Sequence, residues 1–127
     1  MKPLSRREAV LGLLATAAAC ASIPRFRATE LPLRVPVAML GEDGRVVVEY
    51  PSLPYPLLVS QQGDEYVAVH MECTHAGCPL TARRKNLVCD CHGSKFEDTG
   101  QVLTGPAEDD LVTYPTRLDE DEILIEL

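Results

Sequence analysis

Past residue 33 the chain alternates short apolar runs with turn formers, and no stretch sustains a 3.6-residue period. Arg34–Leu40 is one such run. The Gly41-Glu42-Asp43-Gly44 that follows is a hairpin turn signal leading into Arg45–Glu49, with Val46-Val47-Val48 at its centre. Pro51, Pro54 and Pro56 then interrupt strand pairing. Leu57–Ser60 and Tyr66–His70 flank Gln61–Glu65, a second hairpin signal. Alternation puts Val67, Val69 and Met71 on one face of the second strand and Tyr66, Ala68 and His70 on the other. Gln101–Leu103, Leu111–Tyr114 and Ile123–Leu127 are further short runs, and the acids Asp119–Glu122 read as a solvated turn. The pattern predicts an all-β, small antiparallel domain. A body of about a hundred residues has a modest core, one that benefits from staples.

The N-terminus follows a different rule. Met1–Arg7 carries Lys2, Arg6 and Arg7, and Ala9–Ala21 is apolar or small apart from Thr16. A basic start, a short apolar run and small residues at its end describe a secretory signal. Ser5-Arg6-Arg7-Glu8-Ala9-Val10-Leu11 resembles the twin-arginine type. A thirteen-residue helix would reach only about 20 Å, short of the ~30 Å hydrocarbon core. Cleavage is therefore expected ahead of retention as a short anchor or lipid attachment at Cys20. The expected division is residues 1–22 as signal or short anchor, 23–33 as a Pro-containing linker and 34–127 as the folded domain. The implied place is the periplasm or the outer face of a bacterial membrane, with membrane association through the N-terminus as the alternative.

The 127 residues leave room for one ordinary domain, and ten Pro with eight Gly suit strands and loops. Twelve basic against nineteen acidic residues give a net charge of −7, which argues against nucleic-acid binding. Setting aside residues 1–20 leaves nine basic against eighteen acidic residues, a net charge of −9. The triplet Arg83-Arg84-Lys85, within Thr81–Asn86, is either a solvated hairpin tip or a docking patch for an acidic partner.

The candidate chemistry lies in residues 73–78, Cys-Thr-His-Ala-Gly-Cys, and 89–94, Cys-Asp-Cys-His-Gly-Ser. Two loops each offer one thiolate and one imidazole: Cys73 with His75, and Cys89 with His92. One tetrahedral zinc ion would accept those four donors. Cys78 and Cys91 are then surplus, and they read as occupying equivalent places in the two loops. In an exported protein such a pair can oxidise, and a disulfide between the loops is its natural use. His70, three residues before Cys73, reads as a strand end rather than a ligand. Thr74 and Gly77 read as loop-geometry residues, Gly77 being able to take φ > 0.

Both halves of this motif, with their order and spacing, resemble the Rieske iron–sulfur family. The likeness is to its disulfide-bearing branch, found in cytochrome bc-type complexes and in small subunits of some molybdenum oxidases. It covers roughly residues 35–127, and Gly105-Pro106-Ala107 looks like the family's proline loop. The resemblance implies a Rieske-type β sandwich with a cluster-binding subdomain formed by two loops, and one [2Fe–2S] cluster per chain. It implies that Cys73 and Cys89 bind one iron, that His75 and His92 bind the other, and that Cys78 and Cys91 form a disulfide. Ser94 would donate a hydrogen bond to a bridging sulfide, and Gly105 and Pro106 would lie beside the cluster. Phe96 stands where high-potential members carry a Tyr whose hydroxyl bonds a cysteine sulfur. The implied potential is therefore below the quinol-oxidising members and above disulfide-free Rieske ferredoxins.

Nothing in the sequence supplies a substrate pocket signature or a nucleophile–base pair beyond these ligands. The expectation is an exported electron-transfer protein or small redox subunit, not an enzyme on its own. Its partner would be a redox protein, either an oxidoreductase large subunit or a cytochrome. The alternative is the iron–sulfur subunit of a quinol-oxidising cytochrome bc-type complex. A zinc-binding interaction module is the reading from another class.

Overall fold

A computed structural model describes residues 22–127. The segment read as a signal, with its twin-arginine-like residues and Cys20, lies outside the described residues, except for Ser22. In chain order the strands are β1 (Arg25–Arg27), β2 (Leu33–Pro36), β3 (Arg45–Glu49), β4 (Leu57–Gln62), β5 (Glu65–His70), β6 (Thr81–Ala82), β7 (Leu87–Val88), β8 (Lys95–Phe96), β9 (Val102–Thr104), β10 (Thr113–Tyr114), β11 (Thr116–Asp119) and β12 (Glu122–Ile125). They form three sheets, ordered β1-β3-β4-β5-β10, β11-β12-β2 and β6-β7-β8-β9. Among the described residues no helix is long and apolar enough to cross a membrane.

The five-stranded sheet is the middle layer. Its register aligns Val47, Leu58 and Val69 across three strands, and Val46, Val59 and Ala68 beside them. The first row packs with Met71, Leu80, Leu87, Phe96, Cys73 and Cys89. The second packs with Leu33, Val35, Ile123 and Ile125 of the three-stranded sheet. Val46-Val47-Val48 does not alternate in polarity because both of its faces are buried. Val67, Val69 and Met71 fall on the first side, and Tyr66 and Ala68 on the second, as their alternation predicts. Fully burying one such side chain contributes about 1.5–3 kcal/mol. This shared layer, rather than the two-residue strands β6–β8, therefore anchors the four-stranded subdomain.

The β4–β5 hairpin forms where expected, with Gly63 at φ 65° in its turn. Thr81–Asn86 is a hairpin tip, with Arg83 N–H donating to Asn86 O at 2.8 Å. The tail of acids closes the β11–β12 hairpin, where Arg34 lies 3.4 Å from Asp119 and 3.5 Å from Glu122.

Three expectations are corrected. The run from Arg34 to Leu40 is not one strand: it ends at Pro36 and continues as a 3-10 turn, Val37–Met39. Gly41–Gly44 therefore does not join a hairpin. β2 pairs with β12, and β3 pairs with β4 and β1. Proline lacks the N–H to extend the β2 ladder, which explains the stop at Pro36. Within the segment read as linker, Arg25–Arg27 forms a strand parallel to Val47–Glu49, the one parallel pairing among the described strands. Its single partly buried residue, Phe26, packs on the second core, a signal too short to read as a strand.

Candidate metal centre: two ligand loops and a proline loop

Both loops carry the same backbone design. Cys73 N–H donates to Cys78 O at 2.8 Å, and Gly77 N–H donates to Cys73 O at 2.9 Å. Cys89 N–H donates to Ser94 O at 2.8 Å, and Gly93 N–H donates to Cys89 O at 2.8 Å. Each turn needs a left-handed residue four places after its cysteine, and glycine supplies it: φ is 75° at Gly77 and 84° at Gly93. The first loop is closed by the Glu72–Pro79 bridge and the second by the β7–β8 pairing.

This shared frame corrects the expected equivalence of Cys78 and Cys91. Cys78 matches Ser94, five places after the leading cysteine. Cys91 matches His75, two places after it. One is a loop-closing residue and the other sits between Cys89 and His92. They are nevertheless joined: Cys78 and Cys91 form a disulfide with Cα atoms 6.5 Å apart. Linking residues 13 apart contributes on the order of 3 kcal/mol in the chain-entropy account.

Cys73 and Cys89 are free and buried, and both belong to the core containing Phe96 and Leu87. His75 and His92 are exposed, with ring centroids 4.8 Å apart and planes at 86°. Free thiols thus point into the protein and imidazoles to its surface. His70 lies apart. It is buried, belongs to the β5 face opposite Val69 and Met71, and sits between Tyr55 and Tyr114 at ring distances of 6.0 and 6.3 Å.

A third segment closes over these loops. Ser94 is fully buried and its Oγ accepts from Ala107 N–H at 3.0 Å, which ties Gly105-Pro106-Ala107 to the second loop. Thr74 Oγ1 donates to Asp109 O at 2.6 Å and ties the same segment to the first loop. Tyr55 Oη donates to Gly77 O at 2.9 Å. Neither Tyr55 nor this bond of Thr74 was foreseeable from the motif, because each joins residues distant in sequence.

The sequence also gave no account of Arg45, a cation opening a run of valines. It is 3% exposed. Its Nη2 donates to Asp98 Oδ1 at 2.9 Å, and its Nε lies 2.8 Å from Asp98 Oδ2 as a charge contact outside hydrogen-bond alignment. Its Nη1 donates to the carbonyls of Arg83 and Arg84. One guanidinium therefore holds the β6–β7 tip and the turn after β8 against the middle sheet. Burial pushes the Asp98 carboxyl above its usual range, and the Arg45 charge and hydrogen bond oppose that rise. Asp90, beside Cys89, is held below the usual range by the Thr81 hydroxyl first and by Arg83 second.

The donor set fits a two-iron cluster better than one zinc ion. Among the described residues, Cys78, Cys89 and Cys91 are the one trio of candidate metal-ligating atoms within 4.8 Å of one another, and two of them are spent in the disulfide. Cys73, His75 and His92 lie outside that trio, and the donors divide into two buried thiols and two exposed imidazoles. The buried Ser94 hydroxyl accepts one hydrogen bond and keeps its own proton for another acceptor.

Residues 24–115 match the profile of the Rieske [2Fe-2S] domain, which is most of the chain. The chain belongs to the Rieske family. Its cofactor is a Rieske-type [2Fe–2S] cluster, and its nearly all-β fold and Cys78–Cys91 disulfide agree with that assignment. It is similar to the cytochrome b6-f complex iron-sulfur subunit 2 of Synechocystis sp., 34% identical over 76 residues, 55% of this chain and 42% of that protein. The chain spans about two fifths of the length of the curated relatives it matches. Among solved structures it resembles the plasma membrane Rieske protein of Synechocystis PCC 6803. That match is 35% identical with TM-score 0.57 and covers 66% of this chain and 87% of the other. It shares its fold with a chain of a hyperthermophilic respiratory Complex III, 20% identical with TM-score 0.61, covering 96% and 97% of the two chains.

Proposed function

We propose that this Rieske protein is an exported one-electron carrier. Cys73 and Cys89 would hold one iron and His75 and His92 the other. The observation that carries the reading is the division of donors into two buried free thiols and two adjacent exposed imidazoles. The cluster supplies a one-electron couple, raised by replacing two thiolates with neutral imidazoles to somewhere within about −150 to +300 mV. The protein's own residues do the rest. The exposed rings of His75 and His92 present the outer N–H groups to a partner, where each can donate a hydrogen bond or release a proton. The core that Cys73 and Cys89 share with Phe96 and Leu87 keeps water from the thiols. Ser94 keeps a hydroxyl proton available to a bridging sulfide. The partner in this reading is a redox protein, an oxidoreductase large subunit or a cytochrome, and the chain is not an enzyme on its own.

The similarity to cytochrome b6-f subunits favours a second reading, the iron–sulfur subunit of a quinol-oxidising complex. Phe96 argues for the first. It is fully buried in the same core as Cys73 and Cys89, so a phenol there would share the core that holds both thiols. A hydrogen bond to a charged group is worth about 1.5–3 kcal/mol, and ~1.4 kcal/mol is roughly 59 mV for one electron. Geometry and solvent trim this, so Phe96→Tyr should raise the midpoint by several tens of millivolts, on the order of half to one such step. Protein-film voltammetry of both forms at one pH checks it. An unchanged or lowered midpoint with the cluster intact would remove the basis for ranking this protein below the quinol oxidisers.

The domain division is likewise proposed: residues 1–22 as an export signal or short anchor and the Rieske domain after it. A cluster built from cytoplasmic iron and sulfide must cross the membrane inside a folded chain, which is the physical reason for a twin-arginine route. Changing Arg6 and Arg7 to Lys should strand cluster-loaded protein in the cytoplasm. Normal export of that double variant would point to an unfolded-chain pathway.

A further inference from the structure

Three sulfur atoms meet between the two ligand loops. Sγ of Cys78, Cys89 and Cys91 all lie within 4.8 Å of one another. Two form the disulfide, and the third is a free thiol that is fully buried. We propose that this triad is a thiol–disulfide exchange site, in which Cys89, when no iron engages it, displaces Cys91 from the disulfide and pairs with Cys78. The inference rests on the reading of Cys89 as an iron ligand.

The chemistry is self-contained. Exchange proceeds by attack of a thiolate on one disulfide sulfur, with the other sulfur leaving. Here the Cys89 sulfur loses its proton, which the departing Cys91 sulfur takes up, and attacks Sγ of Cys78. The Cys78–Cys89 bond forms, the Cys78–Cys91 bond breaks, and Cys91 departs as a thiolate that takes up a proton. One S–S bond replaces another, so no oxidant or reductant is consumed. The attacking sulfur need not reach solvent, because both partners are already beside it.

The direction follows from exposure and spacing. Cys91 is exposed and Cys78 is half-buried. Attack at Cys78 expels the sulfur that water can solvate, and a better-stabilised thiolate leaves faster. Attack at Cys91 would expel the less exposed sulfur and would tie Cys89 to a residue only two places on, inside the tight turn that Gly93 closes. Cys73, the other free thiol, lies outside the trio.

The consequence is a coupling through one sulfur. Iron on Cys89 withholds the nucleophile and preserves the Cys78–Cys91 staple. Exchange in the stripped protein consumes Cys89, so the product lacks one of its four ligands and resists reloading. A chain whose disulfide forms before its cluster is inserted faces the same outcome.

The test follows the sulfurs. The full chain, in a Cys20→Ser background that removes the fifth thiol, is purified with its iron and divided. One half is stripped anaerobically with a chelator and no added thiol. Both halves are then quenched in acid, alkylated under denaturing conditions and mapped by non-reducing peptide mass spectrometry. The untreated half should carry label on Cys73 and Cys89. In the stripped half most chains should carry label on Cys73 and Cys91, with a Cys78–Cys89 cross-linked peptide. Stripped protein that keeps Cys78–Cys91 with Cys89 labelled would overturn the proposal. So would a mixture in which Cys73 enters disulfides as readily as Cys89, since that marks exchange through an unfolded chain. In Cys89→Ser the Cys78–Cys91 disulfide should persist without iron, and its loss there would also count against the triad. The iron content of the untreated half reads the ligand assignment separately. Absence of iron there sinks that assignment, whereas iron present and an unmoved disulfide after stripping sinks the exchange alone.

Discussion

Replacing His75 by Cys should abolish the native cluster spectrum or lower its midpoint potential sharply, and His92→Cys should do the same. Each change puts a thiolate where a neutral imidazole stood and adds a negative charge beside the centre that must accept an electron. At an effective dielectric near 20, a unit charge about 4 Å away is worth about 4 kcal/mol. That corresponds to a fall on the order of 100 mV or more for one electron. His70→Cys should leave the spectrum unchanged. The three histidines differ in place: His75 and His92 are exposed and ring to ring, while His70 is buried between Tyr55 and Tyr114 on the far face of β5. Thermal unfolding should therefore report on His70→Cys where the spectrum does not, because the variant removes a packed ring. Visible absorption, EPR and voltammetry on the three variants check this. A spectral change at His70 equal to those at the other two would mean that the ligands are misassigned.

Arg45→Met should be among the most destabilising single changes. The variant keeps the apolar stem but leaves Asp98, 15% exposed at its side chain, without its cation and the Arg83 and Arg84 carbonyls without the Arg45 donor. Removing one partner of a buried ion pair costs about 3–5 kcal/mol. The pH dependence has a definite sign. Burial already raises the Asp98 carboxyl, and loss of Arg45 removes the charge and hydrogen bond that hold it down. A carboxyl raised above its unfolded value favours the folded state while protonated, below that unfolded value. It loses that contribution as pH rises through the folded value. The stability gap between Arg45→Met and wild type should therefore be widest at neutral pH and narrow toward about pH 4. Melting temperatures of both proteins across that range check it, with Arg45→Met/Asp98→Asn expected to recover part of the neutral-pH loss. A gap that stays constant or widens on acidification would show that Asp98 is not the group left stranded.

These two predictions come from opposite ends of what the sequence made legible. The ligand loops were readable because their design is local. Cysteine, glycine and the closing carbonyl lie within six consecutive residues in each loop, so each turn is a feature of one short stretch of chain. The faces of β5 were readable for the same reason, since alternation is a property of one strand. Arg45 and Asp98 are 53 residues apart and meet only because the β6–β7 hairpin and the turn after β8 fold back on β3. No local pattern announces that meeting, although a lone cation at the head of a valine run is a sign that some buried partner exists. The turn at Gly41–Gly44 misled because its glycine does bend the chain, with φ 74° at Gly44, but it leads out of a 3-10 turn rather than a strand. The pairing of Cys78 with Cys91 was right although the equivalence ascribed to them was not. The disulfide depends on where the two loops face each other, and the loop frame depends on backbone hydrogen bonds that residue type does not encode.

The central claim is that two histidines and two cysteines of this chain hold one two-iron cluster, and it has a direct spectroscopic test. The chain should be produced with nitrogen-15 confined to histidine, reduced, and studied by pulsed EPR. The account predicts a rhombic signal coupled to two histidine nitrogens, with one coupling lost in His75→Cys and the other in His92→Cys wherever those variants keep iron. A signal without histidine coupling, or protein that binds zinc and gives no iron signal at all, would contradict it.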